Sequence, residues 1–247
     1  YVILNAQKMS KSTGNFMTIG DCIDEFGADA TRLTMADAGD GLDDANFDSA
    51  FANAVLLKLF SLEKWIQDQI KLSIPDGSID FQESKENSDL WDQIFENAVN
   101  NSIIMGTRYY DEMKYKQALK YAFFEINSIK EDYLIAKGGK CNAYTLMRYL
   151  EAEMVLLNPI APHFAQYCWN HYVYPVLSKS KNFGREVCEN LCDQKWPVAS
   201  AAVDKIAIDR LGYLKDTKSA LRVGYDQAKS GGKKKAKGGK QPKKGEA

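Results

Sequence analysis

Lys8-Met9-Ser10-Lys11-Ser12, followed by Thr13-Gly14-Asn15, gathers two lysines, three hydroxyls and a glycine on one short polar stretch. A lysine ammonium is a compact, mobile point charge. Two of them beside hydroxyl donors suit the phosphate chain of a nucleotide. The glycine lets such a loop close and reopen. The spacing is not that of a P-loop, because the glycines required before Gly-Lys-Ser/Thr are absent. Upstream, Val2-Ile3-Leu4 reads as a short strand leading into the loop. The chain opens on Tyr1 and not on methionine, which reads as a cut through a larger protein.

Downstream the pattern is nearly all helix. Ile19 to Phe26 has helical spacing and ends at Gly27, and a second short helix starts near Asp29. Residues 37–46, with Gly39, Gly41 and several aspartates, read as an acidic turn. A helix follows from Asp48 or Ser49 to about Lys71, with Val55, Leu59 and Leu62 inward and Leu56 and Phe60 widening the stripe. Residues 73–88 read as loop. Leu90, Ile94, Ala98 and Met105 mark a helix ending near Tyr110. Ala118, Ala122, Ile126, Ile129 and Tyr133 mark another, stopped at Gly138-Gly139. Met147, Leu150, Met154 and Leu157 mark the next, broken by Pro159 and Pro162. One more carries Phe164, Tyr167, Cys168 and His171 and closes at Pro175. Phe183 to Gln194 is expected as a short surface helix, and Val203 to Gln227 is ambiguous. These periodicities predict a mainly α fold, a bundle of four or five helices after a small entry region.

The chain has 247 residues, 45% of them hydrophobic, enough for a sizeable core. No apolar run reaches the ~18 residues of a membrane span, and no signal-peptide pattern is present. Five unevenly spaced cysteines fit a reducing, cytoplasmic compartment better than a disulfide framework. The formal net charge of −1 hides a split, since residues 229–247 hold eight lysines against one glutamate. That low-complexity tail is expected to be disordered and reads as a tether to a polyanion or simply as a solubilising segment.

The run from Lys8 to Phe47 resembles class I aminoacyl-tRNA synthetases. Beyond the lysine loop, the resemblance rests on Ile23-Asp24-Glu25-Phe26-Gly27-Ala28-Asp29-Ala30-Thr31-Arg32-Leu33. Ala36-Asp37-Ala38-Gly39-Asp40 and Asp44-Ala45-Asn46-Phe47 look specifically like the cytosolic, archaeal-eukaryotic leucyl type. The bundle resembles that family's anticodon-binding domain, and Asn158-Pro159-Ile160-Ala161-Pro162-His163 its helix-to-helix junction.

The resemblance implies the end of a Rossmann-like catalytic domain over residues 1–47 and the helical domain over 48–200. Residues 201–228 would begin a C-terminal region, and 229–247 form the tail. It implies ATP as substrate, with Lys8 and Lys11 as catalytic residues and Met9, Ser10 and Ser12 completing the ATP-binding loop. Mg2+ would accompany ATP, with no ligand assigned. Implied partners are leucine and tRNA(Leu), with a multisynthetase or polyanion partner for the tail. Candidate tRNA contacts are Arg32, Arg108, Lys114, Lys116, Lys120 and Arg148; Arg32 reads equally well as a structural partner of Asp29. The family's upstream histidine-glycine motif and editing insertion are absent, so the chain alone is expected to be inactive. A stand-alone RNA-binding or scaffold protein without catalysis is the alternative.

Other clusters carry bland readings. Asp37, Asp40, Asp43 and Asp44 lack a calcium-loop spacing and read as turn or cap residues. His163, Cys168 and His171 match no strong zinc signature and read as core or cap residues. Tyr109-Tyr110 and Phe123-Phe124 read mostly as core, with any exposed ring free to stack on a base.

Overall fold

The computed structural model describes residues 2–41 and 43–236. It divides into two units, Tyr1–Val203 and Asp204–Ala247. The first unit opens with a small sheet of β1 (Val2–Leu4), β2 (Gln7–Lys8) and β3 (Ala45–Phe47), in the order β2-β1-β3. β1 pairs antiparallel with β2, Ile3 opposite Lys8, and parallel with β3, Leu4 opposite Phe47. The parallel pair is joined through α1 (Ile19–Ala38), and Phe26 of α1 meets Phe47 with ring centroids 5.6 Å apart.

Thr18 caps α1 in a reciprocal box with Asp21. Gly27, at φ 76°, kinks the helix where the sequence predicts a break. Thr31 holds the two halves together by donating to Gly27 O at 2.8 Å and Cys22 O at 3.3 Å.

The bundle comprises α2 (Ser49–Ser73), α3 (Phe81–Glu86), α4 (Leu90–Asp111), α5 (Tyr115–Leu119), α6 (Ile126–Ala136), α7 (Ala143–Leu157), α8 (Pro162–Cys168) and α9 (Tyr174–Leu177). α7 is its axis. Every residue from Tyr144 to Leu157 is buried, so this helix has no solvent face. A helix apolar on most sides must be wrapped by others, and α3, α4 and α8 pack on it. Its buried charged residues have partners, although Thr145 Oγ1 and Glu153 Oε2 are left without one. Glu151 takes Arg148 and Arg185, and Glu153 takes Asn127.

Several expectations are corrected. On α2, Val55, Leu59 and Leu62 are buried as predicted, but Phe60 is 63% exposed and Leu56 36%, so the inward stripe is narrower. On α4 the buried face takes Asp92, Phe95, Ala98, Val99 and Ile103, while Leu90, at the helix start, is exposed. Asp92 turns inward because Tyr133 Oη donates to it at 2.5 Å and Lys137 Nζ at 3.0 Å. The helix expected from Lys116 onward starts at Tyr115 and contains a π-helical stretch, Lys120–Glu125, between α5 and α6.

Pro175 does not end its helix. A π-helical stretch, Trp169–Val173, precedes it and the chain continues helically to Leu177. A widened turn is a common way to relieve a proline's clash with the preceding turn. Residues 183–194 form no α-helix, only a short 3-10 turn at Leu191–Asp193. Side chains satisfy this backbone instead, with Trp169 Nε1 donating to Cys188 O at 2.9 Å and Leu191 N donating to Gln166 Oε1 at 2.9 Å.

The second unit carries α10 (Lys205–Ala236), whose first turn is capped by Asp204 Oδ1 accepting from Ile206 N at 2.9 Å. The helix runs past Lys229 into the stretch expected to be disordered; residues 237–247 lie outside the described residues. No helix among the described residues is long and apolar enough to cross a membrane.

Burial pushes the Glu153 carboxyl up to about 7, against the pull of Lys130, Tyr149 and Asn127. The folded-state pKa lies above the unfolded one, so the folded chain holds the extra proton between them. The stability from that proton is full below the ordinary glutamate range and lost as pH rises toward about 7. The melting temperature of the wild type should therefore fall more between about pH 5 and about pH 7 than that of Glu153→Gln. Thermal unfolding at both pH values checks this, and parallel curves would contradict it.

Candidate functional site

The lysine loop hangs from a tight hairpin. Asn5 and Ala6 link β1 to β2 with φ of 50° and 62°, the left-handed region. Alanine there costs about 1–2 kcal/mol. Two asparagines offset the strain: Ala6 N donates to Asn46 Oδ1 at 2.8 Å, and Asn5 Oδ1 accepts from Ser49 N at 2.9 Å. The hairpin is thereby fastened to β3 and to the start of α2.

Beyond β2 the loop closes on itself. Ser10 N donates to Asn15 O at 2.9 Å, and Asn15 Nδ2 donates to Lys8 O at 3.2 Å. The Ser10 and Ser12 hydroxyls lie 2.8 Å apart, and Thr13 Oγ1 donates to Ser10 O at 3.1 Å. Gly14, at φ 74°, ends a single 3-10 turn formed by Lys11–Thr13. Lys8, Lys11 and Ser12 are exposed, while Met9 and Ser10 are half-buried. Among the described residues neither Lys8 nor Lys11 has an acidic partner, so both ammoniums are free for an anion.

Two carboxylates tie this region to the bundle. α8 begins after Ala161, which has no side-chain acceptor for the first-turn amides. Asp29 of α1 supplies it, its Oδ2 accepting from Phe164 N at 2.6 Å. The other oxygen pairs with Arg32 Nη2 and lies 3.0 Å from His163 Nδ1. With a hydrogen on Nδ1 the imidazole donates to Asp29, and its 3.3 Å approach to Arg32 Nη2 is then no bond. Arg32 Nε donates to Ile160 O at 2.7 Å, within the junction between α7 and α8. α5 repeats the device: Lys114 at its start makes no side-chain cap, and Asp40 accepts from Lys116 N at 3.0 and 3.1 Å.

The other predicted cations divide. Arg108, Lys114, Lys116 and Lys120 gather around the end of α4 and α5. Glu112 bonds Arg108 at 2.8 Å and Lys114 at 2.7 Å, lowering its own pKa through Lys114 first, and Glu125 bonds Lys120 at 3.2 Å. Tyr109 and Tyr121 stack at 5.6 Å and 16°, with Arg108 over one ring and Lys120 over the other. This face offers aromatic surface and cations together, with two carboxylates, Glu112 and Glu125, paired to three of its four cations.

Arg148 is a correction. It is 8% exposed, bonds Glu151 at 3.3 Å and donates to Val198 O at 3.2 Å, so α7 uses it structurally. Tyr110 is half-buried against the core, donating to Leu156 O at 2.8 Å, and Phe123 is buried while Phe124 is half-buried. His163, Cys168 and His171 are not brought together: Cys168 is buried, and His171 stacks on Tyr167 at 4.2 Å.

The geometry defines an exposed two-lysine loop rooted in a sheet edge and joined to an α-helical bundle. Residues 3–48 match the family of class I tRNA synthetases for Ile, Leu, Met and Val, and residues 92–237 match the anticodon-binding domain of tRNA ligase. The chain belongs to that tRNA ligase family. It is 38% identical to the cytoplasmic leucine–tRNA ligase of Saccharomyces cerevisiae over 92% of its length, covering 19% of that protein. It is 35% identical to that of Dictyostelium discoideum, over 94% of the chain and 20% of that protein. The chain therefore spans about a fifth of the curated relatives it matches. The fold is similar to an Agrobacterium radiobacter LeuRS in a ternary complex with tRNA and LeuAMS, with a TM-score of 0.59 at 20% identity, over 81% of this chain and 24% of that one.

Asp29→Ala should destabilise the protein by about 1–3 kcal/mol, because a helix cap and a charged partner vanish together. Asn at position 29 keeps the acceptor for Phe164 N and should lose less. Urea unfolding checks both, and an unchanged midpoint for the alanine variant would contradict the cap.

Proposed function

We propose that this chain supplies the ATP-phosphate loop and a tRNA-binding helical bundle of a leucine–tRNA ligase. The complete enzyme joins leucine to ATP, releases pyrophosphate and passes the leucyl group to tRNA(Leu). The observation that carries the reading is the closed loop 8–15, whose two ammoniums have no acidic partner among the described residues, in a chain similar along most of its length to leucine–tRNA ligases.

Attack on the α-phosphate builds negative charge on the departing pyrophosphate. Lys11 meets that charge, Lys8 assists, and the hydroxyls of Ser10 and Ser12 donate to phosphate oxygens. Donors fixed on developing charge are a large catalytic term. Met9 is half-buried against the core and anchors the loop's inner side. The loop offers ammoniums and hydroxyls to phosphate and no carboxylate to a cation, so Mg2+ would arrive with the nucleotide.

For tRNA, the face with Arg108, Lys114, Lys116 and Lys120 meets backbone phosphates, and Tyr109 and Tyr121 meet bases. Arg32 acts through Asp29 and the junction, not on the RNA. The lysines beyond position 229 add a less specific cationic tether.

Lys11→Ala in the full-length enzyme should slow leucine-dependent pyrophosphate exchange about 100-fold or more. An unchanged rate would sink the assignment. Lys116 is exposed with no acidic partner among the described residues, so Lys116→Ala should lower the salt slope of tRNA binding by about 1. Titration at several salt concentrations reads this, and an identical slope would remove Lys116 from the interface.

A further inference from the structure

A cleft of about 460 Å³ opens between α3, the first turns of α7 and the segments around 182–185 and 198–200. Its size is that of a small-ligand site. It lies on the bundle, and the phosphate loop does not line it. Three cations line it, Lys85, Arg148 and Arg185, with the rings of Phe81, Tyr144 and Phe183.

The side chains that line this cleft carry charge of one sign. Arg148 and Arg185 share one carboxylate, the fully buried Glu151. Burial pushes the Arg185 guanidinium's pKa down, and Arg148 beside it pushes the same way, opposed by Glu151. Lys85 is exposed and has no acidic partner among the described residues; its ammonium lies 5.4 Å over the Tyr144 ring. Among the described residues no acidic side chain lines the cleft. Four carboxylates stand behind the lining: Glu151; Glu96, accepting from Tyr144 Oη at 2.7 Å and Ser200 Oγ at 2.8 Å; Asp80, held by Asn182; and Glu86, accepting from Gln82 Nε2 at 3.3 Å.

The walls are also fastened. Asn182, at φ 58°, donates through Nδ2 to both oxygens of Asp80 at 3.0 Å, and Phe81 N donates to Lys181 O at 3.1 Å. Phe183 is thereby held on Phe81 with centroids 4.8 Å apart, and the Arg185 guanidinium lies 4.9 Å over the Phe183 ring. A guanidinium over an aromatic ring can present donors to an oxyanion and a face to a stacked base; Arg185 Nη2 is taken by Glu151, which leaves its other N–H groups for that role.

We propose that this cleft is a subsite for one nucleotide, with the phosphate held by Lys85 and Arg185 and the sugar and base against the aromatic wall. A ribonucleotide of a bound RNA and a free nucleotide share this chemistry. The RNA form rests on the tRNA-binding reading above; the free form does not.

The test uses the full-length protein in wild-type, Lys85→Glu and Lys85→Arg forms. Affinity is measured for a tRNA(Leu) transcript and for AMP, and pyrophosphate exchange reports on the loop separately. Lys64→Glu reverses the charge of an exposed lysine on α2 outside the cleft and serves as control.

Lys85→Glu should weaken the transcript about tenfold, the scale of one charge-assisted hydrogen bond. Lys85→Arg should restore it, with Lys64→Glu and the exchange rate unaffected. A loss confined to AMP keeps the subsite and assigns it to a free nucleotide. Unchanged affinity for both ligands, or an equal loss in Lys64→Glu, overturns the proposal whether or not exchange is present. Absent exchange together with Lys85-dependent AMP binding removes the synthetase reading and leaves the cleft standing. Arg185→Gln, checked for folding by thermal unfolding because Glu151 loses a donor, should weaken the same ligand as Lys85→Glu.

Discussion

Two helices of the bundle begin at residues that cannot cap them. α8 starts after Ala161 and α5 after Lys114, and neither side chain accepts a first-turn amide. Unsatisfied amides at a helix start cost stability, and a carboxylate there also answers the helix dipole. Asp29 and Asp40 do this work from α1 and the turn just after it. Both helices can complete their first turns only when α1 is docked. The entry region and the bundle are one object because each finishes the other's hydrogen bonding.

The position of the lysine loop follows from this. Lys8 leaves a hairpin whose left-handed turn is held by Asn46 of β3 and whose Asn5 caps the first amide of α2. β3 and β1 sandwich Phe47 and Leu4 against Phe26 on the first half of α1. Past the kink at Gly27, the second half carries Asp29 and Arg32 to the α7–α8 junction. The path from loop to bundle core is thus a run of short polar contacts on an apolar wedge, and α7 closes it as a fully buried axis.

Much of this was legible in the residues. The loop, the break at Gly27, the Asp29–Arg32 pair and the long helices α2, α4 and α7 follow from motif and spacing. The missing parts share a cause: they depend on partners distant in sequence. Asp92 looks solvent-facing until Tyr133 and Lys137 reach it, so its burial on α4 beside Phe95 and Val99 has no local signal. Arg148 looks like an RNA contact until Glu151 and Val198 occupy it. α3 is six residues of mostly charged sequence, too short to show a period. β3 lies inside an acidic turn, where only the pairing with β1 makes it a strand. The cationic cleft joins residues from 81 to 200, and no local window contains it.

The most direct test of this coupling is native-state hydrogen exchange on the full-length protein, wild type against Asp29→Ala. If the two regions stabilise each other, exchange should accelerate at the first-turn amides of α8 and also along the second half of α1. The far end of α2 should remain protected, because opening spreads through shared contacts and not through the whole fold. Acceleration confined to Phe164, with α1 unchanged, would mean that Asp29 is an isolated cap and that entry region and bundle are held together by something else.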